Sequence, residues 1–372
     1  MKILYFQQNL ALGATEEYLY YLMRGVDKSR FEVEFAYPQD SIFYPFISKL
    51  ENSGVKTCPY LLDSNHILLI KRLRTLFLDK KPHLVHFNDP CLDGIIAARL
   101  AGVSVLVMTH HTPELNPSYN LKARFIKKIA FRYCGLRFIF TSEFDRDTGI
   151  KKEKIASDKS YVIYYGLPEE KFHGQFDKKD VYREFSLEEG CCIIVNIARL
   201  AAQKGQKYLI DAASFVVKRF KSVKFFFIGE GELEDELKTQ VKHKGLQDYF
   251  IFTGHRTDIP RLLNASDVLV MPSLFEGLCF AVIEAQAMGV PVIAASVGGM
   301  RRSVADGKTG ILVKPADVNA LAEAIFWMLE HTEQAREMGL TGKKHFRELF
   351  TLDKMIKETE SLYKNLLDKV NA

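Results

Sequence analysis

Short apolar runs alternate along this chain with longer segments whose apolar residues fall three and four apart, the spacing of helices. Strands are predicted at 2–7, 31–37, 84–87, 103–109, 138–140 and 161–163, with helical stretches between them. The pattern then restarts, with strands at 192–197, 225–228, 250–253, 268–271 and 292–295. Helices follow at 208–219, 279–288, 318–328, 333–346 and 352–370. Runs of Val, Ile, Leu and Phe without polar alternation suit parallel strands covered on both faces, so the expected class is α/β with two parallel sheets. The polar stretch 169–190, rich in Lys, Asp and Glu, reads as an interdomain linker plus a short helix, and 298–299 and 307–310 read as turns.

The segment 268–299 carries the most chemistry: buried strand, loop, helix, buried strand and paired glycines. Ligands of such units bind where strand C-termini meet helix N-termini. Glu276 lies in the loop and Glu284 in the helix, an eight-residue step that at ~100° per residue would return to nearly the same face. The amides of Leu278, Cys279 and Phe280 open the helix N-terminus, an anion site in waiting. Phosphate-seeking amides beside acceptor carboxylates suit a ligand bearing both phosphate and hydroxyls, as a nucleotide sugar does. The lesser readings are that Glu276 caps the helix and that Glu284 lies on a solvated face, the latter opposed by its apolar neighbours Val282, Ile283, Ala285 and Ala287.

With 372 residues, 47% hydrophobic and 26% charged, the chain can bury two cores. Its net charge of +5 is unevenly placed: from Lys56 to Arg137 thirteen Lys and Arg face five Asp and Glu. Two basic amphipathic stretches, 66–81 and 119–137, account for most of it. They read either as surface helices packing an apolar stripe or as a patch for an anionic acceptor or membrane surface. No nucleic-acid module accompanies the charge, so a nucleic-acid partner is not expected. Six scattered cysteines without a C-x-x-C pair imply reduced thiols and no zinc site. With neither a signal peptide nor an apolar run of ~18 residues, a cytoplasmic protein is expected, peripheral at the inner membrane face if the basic helices serve as a patch.

The linked pieces E-G-x-x-x-x-x-x-E-A from Glu276, A-x-G-V-P-V-I-A from Ala287 and Gly298-Gly299 resemble the signature of retaining glycosyltransferase family four. The resemblance implies a GT-B fold, two Rossmann-like domains facing across a cleft: 1–168 for acceptor, linker 169–190, 191–351 for nucleotide sugar, and a C-terminal helix 352–372 returning to the first domain. It implies donor-sugar contacts for Glu276, ribose contacts for Glu284 and backbone contacts for Leu278, Cys279 and Phe280. A-R-L-A-A-Q-K-G from Ala198 resembles the family's phosphate-binding turn, with Arg199 and Lys204 on the diphosphate. As the glycosidic bond breaks, charge grows on the leaving phosphate, and fixed cations stabilise it. Gly13 and Ala14 resemble the family's first glycine-rich turn, and Gly229, His255 and Arg256 stand where relatives hold the base. Of His110 and His111, at the end of the 103–109 strand, one would meet the donor sugar; strand counting favours His110 and the T-x-H spacing favours His111, and His110 is the preferred reading. Tyr165 replaces an asparagine common in the family.

The activity implied is retaining transfer from a UDP- or GDP-sugar to a saccharide or lipid-linked acceptor, with no metal and no cofactor beyond the donor substrate. A sugar-nucleotide epimerase and a non-catalytic sugar-nucleotide-binding scaffold at a membrane are the rival readings. Sugar interconversion without acceptor would mark the former, and indifference to loss of Lys204 the latter.

Overall fold

The computed structural model describes residues 1–8, 14–88, 90–111, 131 and 134–371. The chain forms two compact units, Met1–Gly166 with Leu352–Ala372, and Leu167–Thr351. The first is built on seven parallel strands: β1 (Lys2–Phe6), β2 (Glu32–Pro38), β3 (Lys56–Tyr60), β4 (Leu84–Phe87), β5 (Val105–His110), β6 (Leu136–Phe140) and β7 (Ser160–Val162), ordered β3-β2-β1-β4-β5-β6-β7. The second has six: β8 (Cys192–Ile197), β9 (Val223–Ile228), β10 (Phe250–Gly254), β11 (Val268–Met271), β12 (Val292–Ala295) and β13 (Gly310–Val313), ordered β10-β9-β8-β11-β12-β13. In each sheet the order reverses once, between β1 and β4 and between β8 and β11, and a crevice opens at such a switch point.

Alternating side chains feed two cores in the second unit. Phe225, Phe227, Val268 and Val270 pack with helices Gln206–Arg219 and Val318–Glu330, whereas Phe226, Ile228, Leu269 and Met271 pack with Ile259–Ala265 and Phe280–Met288. Two strands escaped the sequence pattern. β3 contains Pro59 and lies at a sheet edge, where a missing N–H leaves no ladder bond unmade on the outer side. β13 starts at Gly310, inside the expected turn 307–310, and is a short edge strand on β12. The stretch expected as a linker, 169–190, packs inside the second unit: Phe172 and Val181 are buried, and Phe172 meets Phe346 edge-on. Its polar surface residues hid two apolar anchors. The basic stretch 119–137 lies mostly outside the described residues, as does Gly13; Ala14 opens the first helix.

The helix Leu352–Asn371 joins the first unit through its buried Tyr363, whose hydroxyl meets Nδ1 of His86 and lies 3.2 Å from the Tyr5 hydroxyl. Nε2 of His86 is 2.7 Å from the Thr109 hydroxyl, and the Tyr5 ring packs alongside. Burial, with His111 nearby, pushes His86 down to about 3. His111, facing His110, Tyr18 and Tyr165, is likewise pushed to about 3, by burial first and His110 second. Both folded values lie below the ordinary 6.5, so this stability is present above pH 6.5 and lost as pH falls toward 3. Asp145, raised to about 6 by burial, works in the opposite sense and offsets part of the loss. Between pH 7 and 4 the first unit is expected to lose on the order of 3 kcal/mol per histidine before that offset. Urea unfolding checks this: the only tryptophan, Trp327, reports the second unit, so circular dichroism should show a transition at pH 4 that Trp327 fluorescence does not follow. Coincident transitions at both pH values would contradict it.

Candidate active site

The β8–β11 ladder is short, with only Val268↔Ile194 and Leu269↔Val195 in register. Beyond it the strands part, and the buried amide of Asn196 donates to the Val270 carbonyl at 2.8 Å, satisfying a backbone group the ladder no longer reaches. Gln206 donates to Asn196 Oδ1 at 3.3 Å and to the Arg199 carbonyl at 3.0 Å, which ties the turn after β8 to the strand end. The turn after β11 is laced to it: Leu274 N–H donates to Gln203 O at 2.8 Å, and Gln203 Nε2 to Phe275 O at 2.9 Å. Gly205 has φ +67, and a Cβ there would stand 2.2 Å from the Pro272 carbonyl. Both motif-bearing turns therefore flank one switch point.

Across them, Lys204 Nζ lies 2.5 Å from Glu276 Oε1, which also accepts from Ser273 Oγ at 2.9 Å. Burial, the largest single influence, disfavours the Lys204 charge, but the charge and hydrogen bond of Glu276 together with Cys279 outweigh it and the net shift is upward, so Lys204 is a cation at neutral pH. Arg199 is exposed, its guanidinium without a protein partner among the described residues. The helix Phe280–Met288 has no side-chain oxygen as cap at Cys279, whose thiol lies against the Ala281 and Val282 amides, and its positive end faces the loop that carries Glu276. Leu278 and Cys279 are buried, Phe280 half-buried. The Cys279 thiol is pushed up to about 11, by burial and then by Glu276, and is no nucleophile at neutral pH.

Glu284 is buried in the helix, but the common face expected for it and Glu276 does not arise from helical periodicity. The helix starts at Phe280, so Glu276 is placed by the loop and by Lys204. Glu284 instead accepts from Lys171 Nζ at 2.9 Å. Gly229, φ +136, sits where a Cβ would be 2.2 Å from the Ala198 carbonyl, bringing the turn after β9 against that after β8. His255 is exposed, its N–H donating to Glu230 at 3.2 Å. Arg256 is engaged elsewhere, Nε and Nη2 on Asp258 and Nη1 on Glu184, each at 2.8 Å. Ser273, Asn196 and Lys171 were not anticipated. A lone Asn in the apolar run CIIVNI was the available signal for Asn196; nothing local marks the other two.

In the first unit His110 is buried, Nε2 2.8 Å from Glu153 Oε2, its ring stacked on Phe140, and its Nδ1 without a hydrogen-bond partner among the described residues. His111 is held at both nitrogens: Nε2 lies 2.9 Å from Asn88 Oδ1, and Nδ1 meets the Tyr165 hydroxyl. Asn88 follows β4 and Gln7 follows β1, so this cluster borders the switch point of the first sheet.

Comparison with known proteins gives the family and the fold. The family described as glycosyl transferases group 1 matches residues 177–345, and that described as Glycosyltransferase Family 4 matches 15–171. Over 275 residues the chain is 30% identical to the UDP-Gal:alpha-D-GlcNAc-diphosphoundecaprenol alpha-1,3-galactosyltransferase of Escherichia coli, covering 70% of this chain and 71% of that one. The chain belongs to glycosyltransferase family 4. Another relative, named putative glycosyltransferase EpsD in Bacillus subtilis, is 26% identical over 84% of both chains. Among solved structures, Anabaena HepE in complex with UDP superposes with a TM-score of 0.87 at 21% identity, over 98% of this chain and 100% of that one. The fold is GT-B, with both units Rossmann-like parallel-sheet domains.

Proposed function

We propose that this glycosyltransferase moves a sugar, with retention, from a UDP-sugar to a saccharide or lipid-linked acceptor. The observation that carries the reading is Lys204 paired to buried Glu276 at the mouth of the β8–β11 switch point, with exposed Arg199 and the N-terminus of the helix Phe280–Met288 alongside. UDP is favoured over GDP because the E. coli relative is named for UDP-Gal and HepE is described with UDP. In the proposed step the acceptor hydroxyl attacks the anomeric carbon on the face the nucleotide leaves. The bond from that carbon to the phosphate oxygen breaks, and the departing phosphate takes the acceptor proton. Arg199 and Lys204 hold the growing negative charge, Arg199 by a two-pronged grip and Lys204 as a point charge, so the side chains supply the role a metal could play. Glu276 would accept from donor-sugar hydroxyls and Glu284 from the ribose.

Calorimetric titration with UDP, GDP, ADP and their sugar conjugates, without added metal, tests this. UDP should bind, and Arg199→Ala should weaken it about 10- to 100-fold, by loss of a charge-assisted contact. No binding to any nucleotide would sink the reading.

Lipid-linked acceptors would bring the first unit to a membrane surface. No helix among the described residues is long and apolar enough to cross one. In the helix His66–Lys80, Leu69, Leu73 and Phe77 face the core, while Ile67 and Leu68 are exposed beside Lys71 and Arg72, with exposed Leu61 and Leu62 preceding them. The buried face packs an apolar stripe, and the exposed face is the one that would meet the membrane. Co-sedimentation with anionic vesicles should retain the protein and lose it in Ile67→Asp/Leu68→Asp; equal sedimentation of the two would refute the contact.

A further inference from the structure

The polar cluster in the first unit is a directed chain. Glu16, buried in the first turn of the helix Ala14–Gly25, takes the Gln7 amide on Oε1 at 2.8 Å. Gln7 Oε1 accepts from Asn88 Nδ2 at 3.3 Å, Asn88 Oδ1 faces His111 Nε2 at 2.9 Å, and His111 Nδ1 meets the Tyr165 hydroxyl. A carboxylate only accepts, and the first turn of a helix favours the anion. Gln7 must therefore turn its NH2 to Glu16 and its oxygen to Asn88; Asn88 must then turn its NH2 to Gln7 and its oxygen to His111. The imidazole has to carry its proton on Nε2, and Nδ1 has to accept from Tyr165. The orientation at one end dictates the tautomer at the other, across residues that are themselves buried.

We propose that Glu16 is a positioning residue that acts through Gln7 and Asn88 to fix His111 as the neutral Nε2–H tautomer. The proposal rests on the reading of the β5 end as part of the sugar site only for its effect on turnover; the tautomer itself requires no substrate. With both ring nitrogens occupied, His111 presents its ring edge and plane in one orientation, and the ends of β1, β4 and β5 are tied together around the switch point.

Histidine-selective 15N labelling, with His111 assigned by the signal missing in His111→Asn, reads the tautomer directly. The unsubstituted protein should show a single form with a protonated Nε2 and an acceptor-type Nδ1. Glu16→Gln removes the acceptor-only end, lets both amides flip, and should give two tautomers together with about a tenfold fall in kcat/KM, the thermal midpoint staying close to that of the parent. Tyr165→Phe should keep the Nε2–H form, because Asn88 still accepts, while Nδ1 shifts toward a lone pair without a donor. An Nδ1–H form in the unsubstituted protein, or one unchanged tautomer in Glu16→Gln, overturns the proposal even if Glu16→Gln is unstable for other reasons. Such a result leaves nucleotide binding untouched, whereas failure to bind nucleotide removes the transferase reading and leaves the relay standing.

Discussion

Lys204→Ala is expected to lower kcat about 10²- to 10³-fold, the range for removing one fixed group that stabilises charge in a transition state. The variant does two things at once. It takes a cation from the position where the leaving phosphate is proposed to sit, and it leaves Glu276, buried and reached otherwise by Ser273, without its counter-charge. Breaking a buried pair by removing one partner costs roughly 3 kcal/mol, so the second unit should also unfold at lower urea, read by Trp327 fluorescence. The two effects separate in Lys204→Met/Glu276→Gln. With no unpaired charge left, that variant should recover most of the stability but none of the turnover, because restoring the fold does not restore a cation. Recovery of turnover together with stability would mean that Lys204 serves the loop and not the phosphate.

How much of this was legible in the sequence depends on whether a feature is local. Strands buried on both faces, such as Val268–Met271 and Val292–Ala295, announce themselves as unbroken apolar runs. Edge strands need not, and Lys56–Tyr60, with a lysine at its start and a proline within, offered no such run. The two site turns were visible because Arg199, Lys204, Glu276 and Glu284 lie within two short motifs. Their pairing was not: Lys171 reaches Glu284 across 113 residues of chain, from a stretch whose polar character reads as a linker. Periodicity does not apply at Glu276, since a wheel drawn from residue 276 assumes helix there, whereas the helix begins only at Phe280. The relay from Glu16 to Tyr165 is the extreme case. It draws single polar residues from five segments, each ordinary where it stands, and only the sheet order that sets β1 beside β4 and β4 beside β5 brings them together.

Gly298→Ala should abolish nucleotide binding through backbone geometry alone. Gly298 has φ +45, and a Cβ built there would stand 1.8 Å from the Glu276 carbonyl oxygen and 3.0 Å from its carbon. Those are main-chain atoms of the very residue paired to Lys204, so no side-chain rotation relieves the overlap. The loop carrying Glu276 must move by more than an ångström, and the neighbouring bond from Gly299 N–H to Glu276 O, now 3.2 Å, goes with it. The positive φ adds about 1–2 kcal/mol for a residue with a Cβ, and the displaced pair adds more, for a total of roughly 3–4 kcal/mol. Gly307→Ala supplies the control: φ is +69, yet nothing lies within 4 Å of the added Cβ. It incurs the conformational strain without the collision, about 1 kcal/mol, and should bind UDP as the parent does. Calorimetry and urea unfolding on both variants decide the matter. Equal losses in the two would place the cost in backbone strain, whereas loss of binding confined to Gly298→Ala would tie the glycine after β12 to the seating of Glu276 at the switch point.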